Sequence, residues 1–226
     1  GSLPETSGTL QAVDLRLPAD SIVGASFPAG VALGNVETSQ RIVDLLLAAM
    51  RKLMPGKFPA ASQGTMNNLL FGGTRKDGTP FVFYETLAGG SGAGPDGPGA
   101  SAVQTHMTNT RNTPIEVLEE ELPVRVTRLA LRKSSGGQGD HRGGEGMIKE
   151  IEFLQPVRLT VAGTRRASQP AAAGNAKPGK SAVDQVVING KVKRLNPAEA
   201  IDIPIGGKIK IATPGGGGYE RDQKTN

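Results

Sequence analysis

The chain contains no cysteine and no tryptophan, and only 4 % of its 226 residues are aromatic. Without cysteine, disulfides, thiolate metal centres and cysteine nucleophiles are excluded. The shortage of aromatics leaves the core to Val, Ile, Leu, Ala and Met. No apolar run approaches the roughly 20 residues of a membrane-spanning helix. The start lacks the charged-then-apolar order of a secretory signal. A cytoplasmic location without membrane contact is the expectation. Concentrated charge of one sign is missing too. The formal net charge is +5, but basic and acidic residues are interspersed: Arg111 lies near Glu116, and Arg125 and Arg128 follow Glu119-Glu120-Glu121. The densest basic run, Lys191–Arg194, is short and carries no interleaved aromatics, so nucleic acid is not an expected partner.

What the chain has in quantity is glycine (32) and proline (16), together about a fifth of its residues. That stays below the level where disorder is the default and suits a loop-rich, strand-rich globular chain. Val13, Leu15 and Leu17 alternate within 9–23, which reads as a half-buried strand closed by Pro18. Helical periodicity is clearest over 37–54, where Ile42, Leu46, Ala49, Met50 and Leu53 share one face and Leu45 and Leu47 widen it. Asn35 or Thr38 can cap this helix, and Pro55-Gly56 stops it. Its apolar stripe is expected to be core. Lys76-Asp77-Gly78-Thr79 predicts a hairpin turn returning into Pro80–Glu85. Thr113 and Pro114 open a helical turn over 114–119. Strands are expected over 122–132, with Val124, Val126, Leu129 and Leu131 apolar, and over 147–153 and 157–161. Shorter ones follow around 186–188, 191–192, 201–203 and 208–211. The fold class predicted is α+β: a strand-rich mixed sheet carrying the 37–54 helix, with a small C-terminal β unit. The expected organisation is a core over 1–162, a loop or linker over 163–182, the β unit over 183–219 and a tail over 220–226.

Chemistry concentrates between Leu87 and Gly146, where two glycine-rich loops bracket the polar run His106–Thr113. Asn109, Arg111 and Asn112 are the substrate-pocket candidates on donor count. His106, one of only two histidines, is either a structural hydrogen-bonded residue or a proton donor. His141 reads as a solvated loop residue. No helical HxxxH or HxxE pair exists, so no metal ligand is assigned within the chain. The loop 135–146 is either a structural turn or an anion cradle built from Gly136, Gly137, Gly143 and Gly144 with Arg142 as forked donor. It has neither P-loop order nor a dinucleotide-binding context. Asn67-Asn68 is either a turn or a pair of donors facing a pocket.

Seven stretches, in order, resemble the hydantoinase B/oxoprolinase family: Gly34–Arg41, Pro59–Asn68, Tyr84–Thr86, Met107–Glu116, Ser135–Gly137, Arg142–Gly146 and Thr213–Tyr219. They correspond to the C-terminal part of the family's B-type subunit. The resemblance implies an ATP-dependent cyclic amide hydrolase of the hydantoin or 5-oxoproline type, with ATP used by an A-type partner that phosphorylates the substrate. The B-type subunit then carries out the following step, so this chain alone is expected to be inactive. It further implies a small-molecule substrate, a remaining N-terminal part of the B-type subunit as partner, and a divalent metal on that part. A related ketone carboxylase subunit and a non-catalytic scaffold half are the alternatives. The stretch Arg165–Asn175 is poorer in glycine than the family's version.

Overall fold

The computed structural model describes residues 14, 16–19 and 21–221. In chain order its elements are a π-helical turn at Gly34–Thr38, α1 (Ser39–Leu53), β1 (Asn68–Thr74), β2 (Pro80–Thr86), α2 (Ile115–Glu121), β3 (Val124–Arg132), β4 (Gly146–Phe153), β5 (Val157–Ala162), β6 (Val183–Ile188), β7 (Lys191–Arg194), β8 (Ala198–Ile203) and β9 (Lys208–Ala212). The strand-rich α+β class is as expected. The strands divide into two sheets, ordered β2-β1-β5-β8 and β3-β4-β9-β6-β7, and every pairing is antiparallel. Of the C-terminal strands, β6, β7 and β9 extend the second sheet while β8 edges the first. The Val13 and Leu15 positions lie outside the described residues, as does most of the expected tail; Leu17 is described and belongs to no strand.

The two sheets share one apolar core. Strand alternation turns Leu69 and Phe71 of β1 and Val157, Leu159 and Val161 of β5 inward. They meet Met147, Ile151 and Phe153 of β4 and Ile209 and Ile211 of β9 from the opposite sheet. Phe71 packs edge-on against Phe153 with ring centroids 5.2 Å apart. That geometry suits the aromatic quadrupole and locks the two layers together. In β3 the register shifts between Val126 and Arg128. The apolar positions change parity at the same point, from Val124 and Val126 to Leu129 and Leu131. A bulge keeps both pairs on the core-facing side. β3 is an edge strand, however, and Leu129 and Leu131 remain 43 % and 51 % exposed.

The helix departs from expectation. α1 forms where its periodicity places it, but its apolar stripe is not core. Ile42, Leu45, Leu46 and Leu53 are 40 %, 63 %, 61 % and 75 % exposed, whereas the buried positions of the π-turn and α1 are Glu37, Gln40 and Asp44. The helix lies polar face inward because those side chains find fixed partners beneath it, as described below.

The glycine-rich segments form a third structural unit, a bundle of extended backbones interlocked by main-chain hydrogen bonds. Ser91 N–H donates to Ala100 O (3.0 Å), Gly144 N–H to Ser91 O, Gly216 N–H to Gly144 O and Gly137 N–H to Gly216 O (2.9 Å each). The spacing leaves no room for side chains. A Cβ built on Gly216 would lie 1.8 Å from Ser91 O, and one on Gly144 would lie 1.9 Å from Ala100 O. As at the axis of collagen, glycine is used here for what it lacks. We expect Gly216→Ala to cost at least about 2 kcal/mol of unfolding free energy by overpacking against rigid backbone. Gly97→Ala, with nothing within 4 Å of its Cβ, should cost less than about 0.5 kcal/mol. Urea unfolding of the two variants measures the contrast.

Candidate functional site

The helix α1 and its preceding turn anchor the segments around the site through a row of buried polar side chains. Glu37 accepts from Met66 N–H (3.0 Å), Asn68 Nδ2 (2.8 Å), Thr164 N–H (3.0 Å) and the Thr65 hydroxyl (2.8 Å). One turn on, Gln40 Nε2 donates to Thr105 O (2.9 Å). A further turn on, Asp44 accepts from Arg41 (2.6 Å) and Arg165 (2.5 Å), and His106 Nε2 lies 3.2 Å from its other oxygen. Gly64, at φ +62°, makes this approach possible, since a Cβ there would fall 2.1 Å from Asp44 Oδ2. Burial holds the Arg165 guanidinium below its ordinary pKa, against the raising effect of Asp44. Buried charges are tolerated when paired or saturated with hydrogen bonds. Asp44 pairs with Arg41 and Arg165, and Glu37, with no cation beside it among the described residues, is held by four neutral donors. Glu37, Gln40 and Asp44 thus tie down segments 63–68, 104–106 and 164–165 together.

The 104–113 segment then passes over β2 and leaves a recess of about 190 Å³ lined by Tyr84, Glu85, Thr86, Thr110, Arg111 and Thr113. Glu85 accepts from Thr113 N–H (2.7 Å) and pairs with Lys149 of the opposite sheet, both side chains being almost fully buried. The hydroxyls of Thr86 and Thr110 are 2.6 Å apart, and Gln104 Nε2 donates to Thr86 O at 3.3 Å. Tyr84 donates to Asn68 Oδ1 (2.6 Å), which links the recess to Glu37 through the Asn68 amide. Partial desolvation, and then the negative charge of Glu37, push the Tyr84 hydroxyl above its ordinary pKa. Gln40 Oε1, Gln104 Oε1 and Thr105 Oγ1 are buried and face no donor among the described residues, leaving acceptor capacity along 104–105.

The sequence-derived candidates fall into three groups. Arg111 lines the recess and is exposed at its rim. His106 lies at φ +60°, largely enclosed and bound to Asp44. Asn109 is exposed and outside the recess lining, while Asn112 turns toward Met147 Sδ (3.9 Å). The 135–146 loop is part of the glycine bundle. Gly137, Gly143 and Gly144 donate their N–H groups to Gly216, Gly137 and Ser91 carbonyls. The carboxylate held by the cradle is the chain's own Glu145, which accepts from Ser135 N–H (2.6 Å), the Ser135 hydroxyl (2.9 Å) and Gly136 N–H (3.2 Å). Arg142 points to the same carboxylate at 3.4 Å and is otherwise exposed. His141 is not freely solvated: Nδ1 meets Gly94 O at 2.7 Å and the ring stacks on Tyr219. Asn67 and Asn68 are both buried and hydrogen-bonded, Asn67 at φ +48°. Among the described residues no group of three or more His, Asp or Glu side chains is arranged to hold a metal ion.

Sequence reasoning missed Glu37, Gln40 and Asp44, because polar residues opposite an apolar helical stripe ordinarily face water. Lys149 did leave a signal. It occupies an inward position of Met147–Phe153, where strand alternation demands an apolar residue or a paired charge.

A family model described as hydantoinase B/oxoprolinase matches residues 1–221. The 5-oxoprolinase 1 of Arabidopsis thaliana is 41 % identical over 96 % of this chain, which corresponds to 16 % of that protein. The Dictyostelium discoideum 5-oxoprolinase is 40 % identical over 96 % of this chain and 16 % of its own. An uncharacterized Methanocaldococcus jannaschii protein, MJ0963, is 38 % identical over 97 % of this chain and 39 % of its own. The chain therefore spans well under half the length of these relatives. Among solved structures, the ATP-dependent caprolactamase from Pseudomonas jessenii shares the fold with a TM-score of 0.66 at 21 % identity, over 78 % of this chain and 33 % of that one.

Two measurements check the electrostatics of the site. Removing one member of the Glu85–Lys149 pair strands a buried charge, so Glu85→Leu and Lys149→Met should each cost about 3–5 kcal/mol, and the double variant should recover much of that loss. Burial raises the Glu145 pKa, but hydrogen bonds from Ser135, Gly136 and Ser134 outweigh it and the net shift is downward. A depressed carboxyl contributes stability that is present above its unfolded pKa, about 4.3, and is lost as pH falls through the lower folded value. The stability gap between wild type and Glu145→Gln should therefore be largest at neutral pH and close on acidification below the usual glutamate range, as read by urea unfolding against pH.

Proposed function

Because the chain belongs to the hydantoinase B/oxoprolinase family, we propose that it is the C-terminal part of the B-type subunit of an ATP-dependent hydrolase acting on a hydantoin- or 5-oxoproline-like cyclic amide. In this reading an A-type partner transfers phosphate from ATP to the amide oxygen. The B-type subunit then guides a first water to the activated carbonyl carbon, and the tetrahedral adduct expels the ring nitrogen, which takes up a proton. A second water hydrolyses the resulting acyl phosphate to a carboxylate and inorganic phosphate. The divalent metal of the resemblance belongs to the N-terminal part of the subunit. The observation that carries the reading is Arg111 at the rim of a recess lined by Thr86, Thr110, Thr113 and Tyr84. A planar guanidinium fork beside several hydroxyls suits a carboxylate or phosphoryl group on the substrate. Asn109 and Asn112 flank that position in the chain. His106, clamped by Asp44, acts mainly by positioning the segment that bears them. The anion contact is assigned to Arg111, since the bundle amides at Gly136, Gly137, Gly143 and Gly144 already have partners within the chain.

A second reading, a scaffold half without a catalytic part, draws support from those committed amides. Turnover of the cyclic amide by the full B-type subunit, with A-type partner and ATP, separates the two. Arg111→Ala should lower kcat/KM by about a hundredfold, with partial recovery in Arg111→Lys. Unchanged turnover in Arg111→Ala, with assembly intact, would favour the scaffold.

A further inference from the structure

The outward face of α1 is the largest feature that the proposed site leaves unexplained. Ile42, Leu45, Leu46 and Leu53 recur at helical spacing and are 40–75 % exposed. The helix cannot roll to bury them, because Glu37, Gln40 and Asp44 hold its other face through the segments at 63–68, 104–106 and 164–165. The chain leading into it adds Ile22 (77 % exposed), Phe27 (100 %), Val31 (65 %) and Leu33 (42 %). Beside Leu33 an apolar groove of about 240 Å³ runs over the outer face of β1 and β2, lined by Ala32, Leu33, Val36, Leu70 and Tyr84. An apolar helix stripe left to solvent beside an apolar groove marks a surface made to be covered.

We infer that the outer face of α1 is an internal packing surface of the longer B-type polypeptide, covered by an apolar segment from the part of that polypeptide which this chain does not span. Relatives that match nearly all of this chain carry 61–84 % of their length outside the match (100 % minus the 39 % and 16 % that it covers). Ample chain exists to cover the face. A second copy of this chain fits it less well. Fifteen residues of helix give a strip roughly 22 Å long and about 10 Å wide, far below the roughly 800 Å² per partner of a stable independent interface. A strip of that size is ordinary for one helix packed inside a larger core. The inference takes from the proposed function only that the chain works within a longer subunit, and needs neither the hydrolytic step nor the recess.

The absence of cysteine from this chain makes single-thiol labelling clean here, and any native cysteines of the relative are first replaced by serine. Leu45→Cys and Leu46→Cys are introduced into this chain, and cysteine is placed at the aligned positions of the full-length M. jannaschii relative. Val192→Cys on β7, 64 % exposed, is the control. In this chain the α1 thiols should react with maleimide as fast as the control at every protein concentration. In the full-length relative, the same positions should be slowed at least about tenfold, as for groups reached only by local opening. Equal, rapid labelling in both proteins overturns the inference. So does slowing in this chain that grows with concentration, which would assign the face to a second copy. Loss of amide hydrolysis with α1 protection intact would sink the proposed reaction and leave the docking face standing.

Discussion

Two buried carboxylates, Glu37 and Asp44, organise the part of the molecule that carries the candidate site. Each is removed from water and surrounded by donors from segments far apart in sequence: 65–68 and 164 for Glu37, Arg165 and His106 for Asp44. An ionised group in the interior is tolerable only with such a shell, so its requirement dictates where those segments must run. The helix is therefore held by polar specificity on its inner side. That inverts the usual logic of an amphipathic helix and explains why its apolar stripe is left outside.

The glycine bundle supplies a different constraint at the neighbouring end. Here contact is largely between backbones: the N–H groups of Gly137, Gly143, Gly144 and Gly216 find carbonyls, and those of Ser135 and Gly136 find the Glu145 carboxylate. The bundle sets the path of 99–103, because Gly99 N–H donates to Arg142 O and Ala102 N–H to Glu145 O. From there the chain enters 104–113 and the recess. The glycines fix the position of the polar segment, and the recess derives from Arg111 and the β2 side chains beneath it.

Much of the fold was legible in the residues. The hairpin at 76–79, the helix stop at Pro55-Gly56, the short α2 behind Pro114 and the strands from 124 onward follow from local turn chemistry and alternation, which act over a few residues. The bulge in β3 is unanticipated: strict alternation is the expectation over 122–132, whereas the apolar parity changes between Val126 and Leu129. Less of the site could be read. The burial of Glu37, Gln40 and Asp44 depends on partners more than 20 residues away, and a helical face carries no mark saying which side meets those partners. Likewise, Gly136, Gly143 and Gly144 have the composition of an anion cradle. Whether their amides face a ligand or a neighbouring carbonyl is decided by segments at 91 and 216. Lys149 carried a mark that went unread, since an inward lysine in an apolar strand requires a counter-charge.

The two faces of α1 are mechanically one object. Its inner face holds Thr105 O and His106, the residue before the polar run and the first residue of it, six and five positions from Arg111. Its outer face presents Leu45 and Leu46, one and two positions removed from Asp44. A helix packed on both sides moves as a rigid rod, because its core contacts are dense and its main-chain bonds are internal. Pressure on the apolar side is therefore delivered to Asp44, and through the Asp44–His106 contact to the 104–113 segment. With the inferred cover in place, the position of Arg111 over its recess would rest on α1 being held from both sides, and the polar half of that support is built into this chain.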